Sequence, residues 1–117
     1  MKQTIAILDE FVRSELEGRL PDWIEPRWFA SHETLLERIG DAEIGWIEVW
    51  QPDKLSEAIE HGKRLKWMVT VGAGVERFPF ATMRDRGIVL TNAAGLNAPA
   101  IAEYVILGML TIAKGYR

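Results

Sequence analysis

The chain has 117 residues, 14 Lys+Arg against 17 Asp+Glu for a net charge of −3, and no cysteine. That length holds one domain with a core of its own, and mild acidity leaves no basic footprint for DNA or RNA. Without thiols there is no disulfide, no thiolate metal site and no cysteine nucleophile.

Thr4–Leu8 is a short apolar run ending at Asp9-Glu10, which reads as a first strand and not as a secretory leader, in keeping with a cytoplasmic protein. Phe11, Leu16 and Leu20 recur at helical spacing, so a helix is expected over Glu10–Leu20, stopped by Pro21. Trp23–Phe29 reads as a second strand, and Pro26 assigns it to an edge. Ser31 caps a helix over His32–Ile39 with Leu35, Leu36 and Ile39 as its buried stripe. Ile44–Trp50 is a third strand, followed by a helix from Pro52 to His61 that Gly62 ends.

Leu65–Val71 reads as a fourth strand, apolar enough to be buried on both faces, with Trp67 in the core. Pro79–Asp85 is a short helix and Ile88–Thr91 a fifth strand. Asn97 then caps a last helix, Ala98–Lys114, with Pro99 in its first turn. Strands and helices alternating at this spacing imply α/β architecture: a doubly wound parallel sheet, helices on both faces.

Nineteen of the 30 residues from Ile88 to Arg117 are apolar, and Glu103 is the only acid among them. In the last helix Ile101, Tyr104, Val105, Leu107, Met109, Leu110 and Ile112 wrap more than one face, the pattern of a helix covered on several sides. It is shorter than the roughly 20 apolar residues of a membrane span, so no membrane association is expected. A neighbouring domain or a second copy of the chain is expected to cover it, which makes a homo-oligomer the expected assembly.

Gly72-Ala73-Gly74 falls at the carboxyl end of a parallel strand, where open α/β sheets bind ligands. Glycines there let a ligand approach the backbone, and successive N–H groups make an anion-binding nest. The alternative is a tight strand-to-helix turn with no ligand. It is not a dinucleotide fingerprint, because the third glycine would fall at residue 77, which is Arg77. Trp50 ends the third strand on the same rim and is placed either to wall a pocket or simply to pack. His32 and His61 lie beside acids on charged segments and read as solvated surface histidines. Asp9-Glu10 reads as a cap for the helix that follows, with metal binding the lesser option; no metal site is expected.

Three stretches then fall into line. Leu65-Lys66-Trp67-Met68-Val69-Thr70-Val71-Gly72-Ala73-Gly74-Val75-Glu76 resembles the fourth strand and substrate loop of the D-isomer-specific 2-hydroxyacid dehydrogenases, with Glu76 where that family has Asp. Arg86-Gly87-Ile88-Val89-Leu90-Thr91-Asn92 resembles the next strand. Asn97-Ala98-Pro99-Ala100-Ile101-Ala102-Glu103-Tyr104-Val105 resembles the start of the helix that crosses to the cofactor domain. Trp50-Gln51-Pro52 is similar to the glyoxylate/hydroxypyruvate reductase-like branch.

The resemblance implies a flavodoxin-like substrate domain over 1–97, five strands in the order 2-1-3-4-5. It further implies an interdomain helix over 98–117 leading to a Rossmann domain that binds NAD or NADP. The implied activity is NAD(P)-dependent reduction of 2-oxo acids, such as glyoxylate or hydroxypyruvate, or the reverse oxidation. The family's GxGxxG loop, substrate-clamping Arg, supporting Glu and acid/base His would lie past residue 117, so this chain alone is expected to be inactive. By the resemblance, Val71, Gly72, Ala73 and Gly74 hold the substrate carboxylate, Trp50 walls the pocket, and Asn97 and Tyr104 sit at the interdomain cleft, where they contact substrate or the nicotinamide cofactor.

Two other readings remain. A response-regulator receiver shares the length and strand order, with Asp9-Glu10, Asp53 and Thr70 as metal acids, phosphoacceptor and switch. Asp53, however, lies three residues past Trp50, and the end of the fifth strand is Thr91-Asn92-Ala93 where a receiver needs Lys. The other is a stand-alone flavodoxin-like module that dimerises through its last helix.

Overall fold

A computed structural model describes residues 2–116. Met1 and Arg117, the outer ends of the expected 1–97 and 98–117 segments, lie outside the described residues. Five parallel strands form one sheet in the order β2-β1-β3-β4-β5. They are β1 (Thr4–Asp9), β2 (Ile24–Phe29), β3 (Ile44–Trp46), β4 (Trp67–Val69) and β5 (Val89–Thr91). The helices are α1 (Arg13–Leu16), α2 (His32–Arg38), α3 (Pro52–His61), α4 (Phe80–Asp85) and α5 (Ala98–Lys114). The α/β class, the strand order and the extended last helix are those read from the sequence.

Local chemistry explains most boundaries. Ser31 accepts the Thr34 N–H at 3.2 Å and opens α2. Pro52 starts α3, where its missing N–H costs nothing, and the Gly62 N–H closes the helix on Ala58. Gly115, at φ +65°, ends α5 in the left-handed conformation that glycine adopts without strain. β2 is an edge strand carrying the exposed Pro26.

Four expectations are corrected. The helix over Glu10–Leu20 is a 3₁₀ turn (Glu10–Val12) and one α-turn: the backbone leaves the spiral at Glu17, at ψ 126°, and Gly18 follows at φ +80°. β3 leaves the ladder after Trp46, which pairs with Leu8 on one side and Val69 on the other; Ile47–Trp50 continue unpaired. Asn97 precedes α5 but makes no side-chain cap; its backbone carbonyl accepts the Ile101 N–H at 3.0 Å. β4 is not buried on both faces: Met68 is fully buried, while Trp67 beside it is 41% exposed.

The last correction has a simple cause. Alternate residues of each strand face opposite sides of the sheet. One side meets α2, α3 and α4, and Ile7, Leu35, Ile39, Ile47, Leu55, Ile59 and Met68 form its core. The other side carries Ala6, Leu8, Ile24, Trp28, Ile44 and Trp46, and Leu16 and Leu20 pack over it. Trp67 stands on this thinly covered side, at the rim of an apolar hollow of about 280 Å³.

α5 has no buried residue. It makes the chain long, at 59 × 34 × 24 Å with a radius of gyration of 18.2 Å. A compact chain of this length would have a radius near 13 Å.

Candidate functional site

All five strands point the same way, so Asp9, the β3 exit, the β4 exit and Thr91 gather on one rim. β4 runs out at Val69 into Thr70 and the loop 71–74. β3 runs out through Glu48 and Val49 to Trp50. The two exits lie side by side, and a buried polar cluster joins them.

Glu48 and Arg77 are its centre, with side chains 7% and 8% exposed and 3.3 Å apart. Glu48 accepts hydrogen bonds from the Val71 N–H at 2.7 Å, the Thr70 hydroxyl at 3.1 Å and the Trp46 indole N–H at 3.1 Å. Arg77 donates to the Thr70 hydroxyl at 2.9 Å, the Val49 carbonyl at 3.1 Å and the Gly74 carbonyl at 3.3 Å. Its guanidinium carbon lies 4.4 Å from the Trp50 ring centre and 4.7 Å from that of Phe78, so the cation is held between two aromatic faces. Thr70 completes the cluster by accepting the Gly72 N–H at 3.2 Å.

The loop's amides therefore divide. Those of Val71 and Gly72 are committed to Glu48 and Thr70. Those of Ala73 and Gly74, both exposed, have no hydrogen-bond acceptor among the described residues. Neither Gly72 nor Gly74 has a positive φ, so the turn does not require glycine for its dihedral angles. What the glycines provide is a bare backbone. Asn92 at the end of β5 ties the loop down from the other side, donating to the Ala73 carbonyl at 2.8 Å.

A groove of about 430 Å³ opens over this backbone, lined by Trp50, Pro52, Gly72, Ala73, Gly74, Glu76 and Arg77. Across Trp50 lies a second hollow of about 250 Å³, lined by Asp9, Phe11, Glu48, Trp50 and Val71. Trp50, 64% exposed, is the wall common to both. The structure thus brings Trp50 and Val71–Gly74 together. Asn97 and Tyr104 line neither hollow; both are exposed, Asn97 just before α5 and Tyr104 on it.

Free amides beside an aromatic wall can hold a small carboxylate in the plane of the loop. The ionisable side chains on the groove are Glu76 and the already bonded Arg77. The loop does not suit a dinucleotide: two of its amides point to protein acceptors, and the next helix, α4, begins only at Phe80 and is six residues long.

The other polar candidates lie elsewhere. His32 is half-buried rather than fully solvated; its Nε2 meets Glu57 Oε2 at 2.8 Å, and His61 Nδ1 meets the Glu57 carbonyl at 2.8 Å. Asp53 is exposed in the first turn of α3, and Thr70 is buried against Glu48 and Arg77. Among the described residues no three His, Asp or Glu side chains converge on one point, and no helix is long and apolar enough to cross a membrane.

Glu48 and Arg77 were missed from the sequence as site residues. Their signal was a lone acid inside the apolar run Ile44–Trp50. A buried carboxylate demands a cation and hydrogen-bond donors, and the first arginine past the glycine loop supplies them.

The model of the D-isomer specific 2-hydroxyacid dehydrogenase catalytic domain matches residues 4–113. Erythronate-4-phosphate dehydrogenase of Shewanella amazonensis is 33% identical over 82 residues, covering 69% of this chain and 21% of that protein. The chain thus spans about a fifth of the length of the curated relatives it matches. A 2-hydroxyacid dehydrogenase from Ketogulonicigenium vulgare superposes with a TM-score of 0.71 at 17% identity, covering 98% of this chain and 37% of that one. NAD-dependent formate dehydrogenase from Staphylococcus aureus, solved in complex with NAD, gives a TM-score of 0.61 at 19% identity, covering 97% of this chain and 39% of that one. The chain belongs to the D-isomer specific 2-hydroxyacid dehydrogenase family.

Proposed function

We propose, from that membership, that this chain is the substrate-binding part of an oxidoreductase that interconverts 2-oxo and 2-hydroxy acids. Residues 1–97 form the substrate domain, and 98–117 lead to a domain that binds NAD or NADP. The redox chemistry belongs to that cofactor, bound mainly by that second domain. This chain's own task is to bind and orient. The Ala73 and Gly74 amides take the substrate carboxylate, Gly72 leaves the approach open, and Trp50 and the exposed Val71 side chain wall the groove. Asn97 and Tyr104 come to the cleft only when α5 is docked against its neighbour. The apolar residues of α5 pack on that domain or on a second copy of the chain.

One observation supports this most: two adjacent exposed N–H groups at a strand tip, free of protein acceptors and backed by an aromatic wall. Glyoxylate and hydroxypyruvate suit the groove's modest volume. A second reading, favoured by the likeness to erythronate-4-phosphate dehydrogenase, is a longer 2-hydroxy acid bearing a phosphate.

The test is a titration of the ¹⁵N-labelled chain with oxamate, glyoxylate and a phosphorylated sugar acid. Half a cleft binds weakly, so a Kd on the order of 1 mM is expected. Saturable movement of the Ala73 and Gly74 amide signals supports the reading. No movement of these signals with any of the three overturns it. Hydride transfer by the chain alone would show that it is not merely the binding half.

A further inference from the structure

The Glu48–Arg77 pair is expensive as a device for stability alone. Removing two charges from water costs several kcal/mol each, and apolar pairs of similar volume often do as well. The bonding around the pair indicates a different use. Arg77 reaches three separate parts of the chain: the Val49 carbonyl at the β3 exit, the Thr70 hydroxyl at the β4 exit, and the Gly74 carbonyl at the loop tip. Its flat face underlies Trp50 at 4.4 Å. Glu48 holds the Val71 amide at 2.7 Å, which turns that donor into the protein.

We propose that Glu48 and Arg77 are positioning residues, a buried pair that fixes the glycine loop and the Trp50 wall as one rigid lip. The pair also decides which amides face the groove. Glu48 is an internal carboxylate occupying the Val71 N–H, so an external one is offered Ala73 and Gly74. This deepens the function proposed above and rests on it for the ligand, though the clamping itself does not depend on any ligand. The guanidinium fork is required, since a lysine ammonium cannot span Val49, Thr70 and Gly74 while stacking on an indole.

Two measurements on the 117-residue chain test this, with Arg77→Lys and Glu48→Gln as variants. The first is amide hydrogen exchange without ligand. Arg77→Lys is expected to speed exchange of the Val71 and Gly72 amides by about tenfold relative to Met68 in the same sheet. Glu48→Gln keeps an acceptor for Val71 and is expected to retain most of the parent's protection. Unchanged loop exchange in Arg77→Lys, or an increase shared equally by Met68, overturns the clamp. The second is the oxamate titration, where Arg77→Lys is expected to bind at least about threefold more weakly. Equal affinity overturns the positioning role. If the parent chain does not bind oxamate, the functional reading fails, and exchange still decides the clamp. If Arg77→Lys does not fold, Glu48→Ala takes its place in both arms, with the same expected and overturning results.

Discussion

Asn92 donates its side-chain N–H to the Ala73 carbonyl at 2.8 Å, tying the end of β5 to the loop that follows β4. The bond holds the Ala73–Gly74 peptide, whose backbone lines the groove. Asn92→Ala is expected to weaken oxamate binding severalfold with little loss of fold, because the residue is exposed. Asn92→Asp is expected to weaken it further, since a carboxylate would face a carbonyl and repel the incoming anion. Oxamate titrations of the three chains measure both effects, and equal affinities would rule the tether out.

Thr70 is 2% exposed and its hydroxyl serves three partners. Thr70→Val keeps the shape and strands the Gly72 N–H and one arm of Arg77. A loss of about 1–3 kcal/mol is expected, by urea denaturation. Thr70→Ser is expected to recover most of it.

Gly62 ends α3 hard against packed side chains. A Cβ at that position would stand 2.8 Å from Leu65 Cγ and 3.1 Å from Ile39 Cγ1. Both neighbours are buried, so neither can swing into solvent. Gly62→Ala is expected to cost about 1–3 kcal/mol through overpacking, read from the same denaturation curve.

Acid should loosen the surface in a definite window. The hydrogen bond from Arg27, reinforced by its charge, holds the Asp41 carboxyl below its ordinary range; Lys66 does the same for Glu43, and His32 for Glu57. A carboxyl depressed in the folded state adds stability above its unfolded value, and that share is lost as pH falls through the folded one. Melting temperature is therefore expected to be level near neutrality and to decline below about pH 4. Arg27→Gln removes Asp41's share and should flatten that limb. An identical decline in the variant would show that the pair contributes nothing.

In the isolated chain the outward side chains of α5 are expected to change at little cost in stability. Ile112 is 83% exposed. Ile112→Lys is expected to shift stability by no more than about 0.5 kcal/mol while raising solubility and reducing self-association. Sedimentation velocity of parent and variant at equal concentration measures this, and a large loss of stability would mean that the helix folds back on its own sheet.

Where structure obeys local rules, it was legible. α2 begins where Ser31 caps it, and α3 begins at Pro52 and ends at Gly62. The Glu10–Leu20 helix failed because Leu16 and Leu20 reach the sheet from either side of the break at Glu17-Gly18, and apolar spacing alone does not register a break in the spiral. Trp67 was placed in the core because a run of apolar residues cannot say that one face of its sheet is thinly covered. The glycine loop was legible by its position at a strand end. The clamp beneath it was not, because Glu48 and Arg77 are 29 residues apart and no periodicity links them.

Pro26 has a consequence for how this molecule associates. It lies on the outer strand of one border of the sheet, where a proline offers no N–H to an arriving strand, and charged Glu25 and Arg27 flank it. The opposite border, Val89–Thr91, is only three residues long. Neither margin makes a good template for backbone-to-backbone extension into fibrils. Self-association of the isolated chain should instead run through greasy side chains, giving clusters that dissolve in mild detergent and do not seed.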